Sequence, residues 1–166
     1  MCRKSGFSAM IARRSLAAGV VFFLLMGMSA CTIGGKSGND PRSRLNEYIS
    51  KSFNARSLAD KDAMLSYLTG DAKARLSAWS EDQFRQAFID SRRQFLKLVF
   101  RDTRAVSPAE TDITYEISYL DPSRGKSAKV TNRKMSEMVL EGGNWMIKDV
   151  HNIKELIEYR NEMSLP

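Results

Sequence analysis

The segment Ile113-Thr-Tyr-Glu-Ile-Ser-Tyr119 alternates apolar and polar residues without a break, and no other local pattern in the chain leaves its backbone so little choice. At a side-chain period of two, Ile113, Tyr115, Ile117 and Tyr119 fall on one face of a strand; wound into a helix, the same residues would scatter around it. A half-buried strand needs neighbouring strands and a layer to cover it. Downstream, Asp121-Pro-Ser-Arg-Gly125 supplies Pro for a second turn position and Gly for a left-handed end. The chain is therefore expected to fold back into a return strand from Ala128 to Leu140, whose apolar points are Val130, Met138, Val139 and Leu140. Glu141-Gly-Gly-Asn144 reads as a second hairpin turn. In the strand that follows, Trp145, Ile147 and Asp149 are expected on one face and Met146, Lys148 and Val150 on the other. Upstream, Phe95, Leu96, Leu98, Val99 and Phe100 are too dense and too β-prone for an amphipathic helix. The tail from Asn152 to Tyr159, carrying Ile153, Leu156 and Ile157, is expected to be helical.

The residues before this block read as helices. Asp40-Pro41 pairs an acceptor side chain with a residue that suits a first helical turn, and Leu45, Tyr48, Ile49 and Phe53 follow at spacings of three and four. Asp60 or Asp62 is expected to open a second helix with Met64, Leu65 and Leu68 inward, closed by Gly70. A short third helix carries Leu76 and Trp79. Ser80-Glu-Asp-Gln83 fits a capping box, and Phe84, Ala87 and Phe88 mark the inner face of the helix it starts. Helices followed by an antiparallel meander define an α+β domain, expected over residues 41–166, with the helices packed on one face of the sheet.

The N-terminus has a different character. Residues 1–30 contain Arg3, Lys4, Arg13 and Arg14 and no acid, then a 13-residue apolar run from Leu16 to Met28 and the small pair Ser29-Ala30. A permanent transmembrane helix needs roughly 20 apolar residues, so this reads as a bacterial export signal. Met28-Ser-Ala-Cys31 resembles the lipobox of bacterial lipoproteins, with Met in place of the more usual Leu; that resemblance implies acylation of Cys31 and cleavage just before it. The only other cysteine, Cys2, lies in the leader, so the mature chain offers Cys31 no disulfide partner. At about 0.8 kcal/mol per buried methylene, several acyl chains on one residue would hold the protein on a membrane. Thr32 is not the Asp that the lipoprotein family associates with inner-membrane retention, which favours the outer membrane facing the periplasm, the inner membrane and the cell surface being alternatives. Arg13-Arg14-Ser15-Leu16 resembles a twin-arginine signal only in part, and a general secretory leader is preferred. Residues 31–40, from Cys31 to Asp40, contain three glycines and read as a tether with a reach of about 15–18 Å.

This division also corrects the impression left by the overall charge. The whole chain has 26 Lys and Arg against 19 Asp and Glu, a net +7; without the four leader cations, 22 face 19 and the body carries +3. The densest remaining basic run, Arg85, Arg92, Arg93, Lys97 and Arg101, is interleaved with Phe84, Phe88, Phe95 and Phe100. In an exported protein it reads as a solvated face, or one resting on anionic envelope polymers, and not as a nucleic-acid groove.

The order of elements, the segment Leu65-Ser-Tyr-Leu-Thr-Gly-Asp71 and the final-strand pattern Gly143-Asn-Trp-Met-Ile-Lys-Asp149 resemble the nuclear transport factor 2-like superfamily over about residues 41–151. The resemblance implies a cone in which a curved antiparallel sheet and the N-terminal helices enclose a pocket, catalytic in some members and used only for binding or association in others. Fold alone does not choose between these. Tyr115, Tyr119, Trp145 and Asp149 are candidate pocket residues, although such aromatics are more often core.

A pocket enzyme would need a placed acid or base. Asp149 is the candidate by alternation, with His151 two residues on; the plainer reading leaves both at the solvated end of the strand. One histidine and no cysteine other than Cys31 in the mature chain leave no metal cluster and no Cys–His nucleophile to assemble, and neither glycine pair opens a helix after a strand to cradle phosphate. No cofactor or metal is expected. The expectation is a non-enzymatic envelope binding module, its partner a protein, polymer or small ligand and its membrane contact the lipid on Cys31. The alternatives are a small isomerase- or hydrolase-type enzyme using Asp149 with His151, or a protomer of a larger assembly.

Overall fold

A computed structural model of the protein describes residues 40–125 and 128–159. The leader, Cys31 and most of the tether lie outside the described residues. The domain is α+β, a run of short helices followed by a four-stranded antiparallel sheet in the order β1-β2-β3-β4. Helix α1 covers Pro41–Asn54, with the Asp40 carboxylate accepting from the Ser43 amide at 2.9 Å. Helices α2 (Ala59–Leu65) and α3 (Gly70–Ala78) follow. The short α4 (Glu81–Phe84) opens on the Ser80–Gln83 capping box and runs into a π-helical turn, Arg85–Ile89. Strand β1 is Gln94–Ser107, β2 Glu110–Leu120, β3 Ala128–Glu141 and β4 Asn144–Tyr159.

The alternation in β2 sets the core. Ile113, Tyr115 and Ile117 are buried together with Met138 of β3 and Ile147 of β4 against Leu45, Ile49, Met64, Leu68, Leu76 and Phe84 from the helices. Each such side chain removed from water contributes roughly 1.5–3 kcal/mol, so one covered sheet face holds the two layers together. The outer face is polar and charged. There Glu116 accepts from both Arg101 and Arg133, and Arg104 pairs with Asp112.

Four details differ from the sequence expectation. Gly70 does not close α2. It begins α3 at φ +49, where an added Cβ would lie 3.1 Å from Lys148 Cγ and 3.3 Å from the Lys148 carbonyl oxygen, so the glycine serves a close approach between α3 and β4. Trp79 stands just past the end of α3 instead of within it.

The tail from Asn152 to Tyr159 is strand, not helix. β3 is 14 residues long, and a helical tail would leave half of its outer edge without ladder partners. β4 supplies them down to the Ala128–Tyr159 pair.

The fourth difference concerns faces. Asp149 pairs with Glu137 but Ile147 pairs with Met138, so Lys148 is an extra residue, a β-bulge, and the alternation reverses there. Val150, opposite buried Ser136, inherits the inner face. Asp149 is turned to the outer one, away from the face of Trp145 and Ile147. Further bulges, near Ile153 in β4 and at three places in β1, confine the irregularity to the two edge strands.

Candidate functional site

Between the helices and the inner face of the sheet lies a part-open cavity of about 420 Å³, within the roughly 300–1,000 Å³ usual for small-molecule sites. Helical spacing turns Tyr48, Ile49, Ser52 and Phe53 of α1 and Ala72, Arg75 and Leu76 of α3 towards it. Trp79 and Phe88 close one side, their rings 5.8 Å apart. The sheet contributes Tyr115, Ile117 and Tyr119 from β2, Asn132 and Lys134 from β3, and Val150 and Asn152 from β4. Val150 and Asn152 reach the wall only because the bulge at Lys148 has reversed the strand.

The polar groups of this cavity are neutral or cationic. Burial pushes the phenols of Tyr48 and Tyr115 up to about 12, so at neutral pH both are hydrogen-bonding hydroxyls and not bases. The Asn132 amide donates to the Tyr119 oxygen at 3.2 Å. Arg93 enters from the turn before β1, directly after Arg92, whose φ of +47 swings the chain through the left-handed region. Its guanidinium lies 5.6 Å from the ring centres of Phe53 and Tyr119 and 5.7 Å from that of Phe88, and donates to the Ala87 carbonyl and to Ser91 Oγ. Lys134 stands on the sheet floor. Burial lowers the pKa of its amine, and the charge of Arg93 lowers it further against a weaker opposing pull from Glu155. No carboxylate or imidazole lines the cavity among the described residues.

Of the residues singled out from the sequence, Tyr115 and Tyr119 line this cavity; Trp145 and Asp149 do not. Trp145 is partly buried nearer the second hairpin and packs against the core. Asp149 and His151 do meet, at 3.4 Å, but on the outer face. There the imidazole also lies 3.0 Å from Glu137, and Asp149 accepts from the Arg75 guanidinium. With its side chain 14% exposed and that of His151 47%, Asp149 is held below the usual carboxylate range, chiefly by the Arg75 bond. A general acid in a pocket needs the opposite shift.

The basic run does not form one face. Arg93 turns inward to the cavity, Arg101 outward to Glu116, and Arg85 stands 4.0 Å from Asp90. Sequence reasoning did not place Lys134, Arg93, Asn132 or Tyr48 at a site. For Lys134 and Asn132 the signal was present, since extending the alternation of β2 across the hairpin puts the even-numbered residues of β3 on the inner face. No known protein-family profile matches this chain, and no curated protein is detectably similar to it.

Proposed function

We propose that this chain is an outer-membrane lipoprotein, acylated on Cys31, whose single domain hangs on a glycine-rich tether on the periplasmic side and acts as a non-enzymatic binding module. In this reading the domain is a nuclear transport factor 2-like cone, and its cavity is the binding site. The observation that carries the reading is that cavity: aromatic and aliphatic walls around a few inward polar groups, which is the composition of a site that holds a small molecule. The export-type leader and the Met28-Ser-Ala-Cys31 junction support the address.

The address is tested by the mass of the mature N-terminus and by membrane fractionation of wild type and Cys31→Ala. The wild-type protein should begin at residue 31 with acyl chains and sediment with membranes, and Cys31→Ala should do neither. A bare residue 31 in an unattached wild-type protein overturns the assignment. The second reading, an enzyme using Asp149 with His151, has in its favour their contact at 3.4 Å. Steady turnover of a substrate, abolished by Asp149→Asn, would replace the binding reading with it.

A further inference from the structure

We propose that the cavity takes an amphiphilic organic anion, its negatively charged head between the Lys134 ammonium and the Arg93 guanidinium and its apolar body against Ile49, Phe53, Leu76 and Ile117. This deepens the binding reading above and rests on it. The argument begins from an imbalance of charge. Among the described residues, neither Lys134 nor Arg93 forms a salt bridge, and both face the same apolar-walled space. Their like charges are close enough to repel. The other charged groups near that space are already engaged: Arg75 by Asp149, and Glu155, on the side of Lys134, by Arg124 at 2.8 Å.

Two partly buried cations with no counter-charge are costly, and that cost is offset when an anion enters. A carboxylate or phosphate oxygen fits both donors, and the neutral phenol of Tyr48 and the amides of Asn132 and Asn152 can satisfy its remaining lone pairs. Arg93 is held for this role. The three rings around it and its bonds to Ala87 and Ser91 fix the guanidinium without neutralising it. The rest of the wall is apolar, so an inorganic anion alone would leave most of the volume without favourable contacts. A head of this chemistry occurs on free fatty acids and on phosphate monoester lipids.

The test uses the full chain carrying Cys31→Ser, so that no attached acyl chain competes, with binding followed by calorimetry and by the fluorescence of Trp79 in the cavity wall. The probes are decanoate, decyl phosphate and decanol. Both anions should bind at least tenfold more tightly than decanol. Lys134→Met should weaken the anions about tenfold to a hundredfold while leaving decanol unchanged, and should raise the melting temperature. Lys134→Arg should restore the preference for anions. The tighter of the two anions assigns the source, fatty acid or phosphate monoester. Equal affinity of wild type for decanoate and decanol, or an anion preference that survives Lys134→Met, overturns the anion site while leaving the cavity a binding site. Failure of all three probes overturns the anion site and the binding reading together.

Discussion

Deleting Lys148 tests whether this residue is the extra one in β4. With it gone, a regular ladder runs on from Ile147, with Asp149 still on the outer face opposite Glu137 and Val150 still inward opposite fully buried Ser136. The cavity wall and the Arg75–Asp149 pair are therefore kept. The losses are the exposed ammonium near Glu137 at 3.9 Å and the approach of the Lys148 stem and carbonyl to Gly70. An exposed pair contributes less than about 1 kcal/mol and a surface change about 0.5 kcal/mol, so the deletion should destabilise by about 1 kcal/mol in urea unfolding, a small share of a typical domain's 5–15. Deleting Val150 is the contrast: the chain beyond it moves by one position, and a polar side chain, Asp149 or His151, takes the inner site opposite Ser136. Loss of the partly buried Val150 side chain costs about 1 kcal/mol and burial of a polar group in its place roughly 1–3 kcal/mol, so this deletion should cost about 2–4 kcal/mol. If deleting Lys148 costs as much as deleting Val150, Lys148 is not an extra residue and the account of the site is wrong.

Gly70→Ala should cost about 1–2 kcal/mol in the same assay, because an L-residue at φ +49 is strained and the new methyl meets the Lys148 backbone at 3.3 Å; an unchanged midpoint would contradict this. Ser136→Ala should be stabilising by about 1 kcal/mol, since the Ser136 hydroxyl is fully buried and makes no hydrogen bond of ordinary geometry among the described residues, although the Tyr115 phenol lies near enough to feel it. Clear destabilisation by this substitution would show a bonded hydroxyl. Asp149 is depressed below 3.8 by Arg75, so its contribution is present in full above that pH and is lost as pH falls through the folded-state value. Arg75→Gln should accordingly lower stability at pH 6 and by progressively less as the pH falls below 3.8, and a deficit that does not change with pH would point to lost packing instead. The reverse sign holds for Lys134, whose amine releases its proton in the folded chain below the ordinary 10.5. Its penalty is full below the folded-state pKa and fades as pH rises to the unfolded one, so wild type should gain on Lys134→Met in a series of melting temperatures taken up to pH 10.5.

The parts of this molecule that the sequence shows are those in which local pattern and burial agree. The β2 alternation, the Asp40 and Ser80 caps and both hairpin turns lie where expected, because each is decided by residues close together in the chain. The tail and the facing of Asp149 are decided across the sheet. Ile153, Leu156 and Ile157 have helical spacing, yet the segment is drawn into β4 by unpaired backbone groups on a β3 edge that begins more than twenty residues earlier. The bulge at Lys148 has a similar origin. Ile147 is held on both sides, by Met138 in the sheet and by hydrogen bonds with Tyr67 and Thr69 from the chain entering α3, and Gly70 then crowds Lys148. Nothing in the run Trp145-Met-Ile-Lys-Asp149 encodes that constraint, so perfect alternation sent Asp149 inward on paper while the fold turned it outward to Arg75. The same reversal brings Val150 and Asn152 into the cavity wall. A single extra residue thus removes a carboxylate from a site already holding Lys134 and Arg93. Had alternation held, Asp149 would have supplied the counter-charge those two cations now lack, and the cavity would have had far less reason to take an anion from outside.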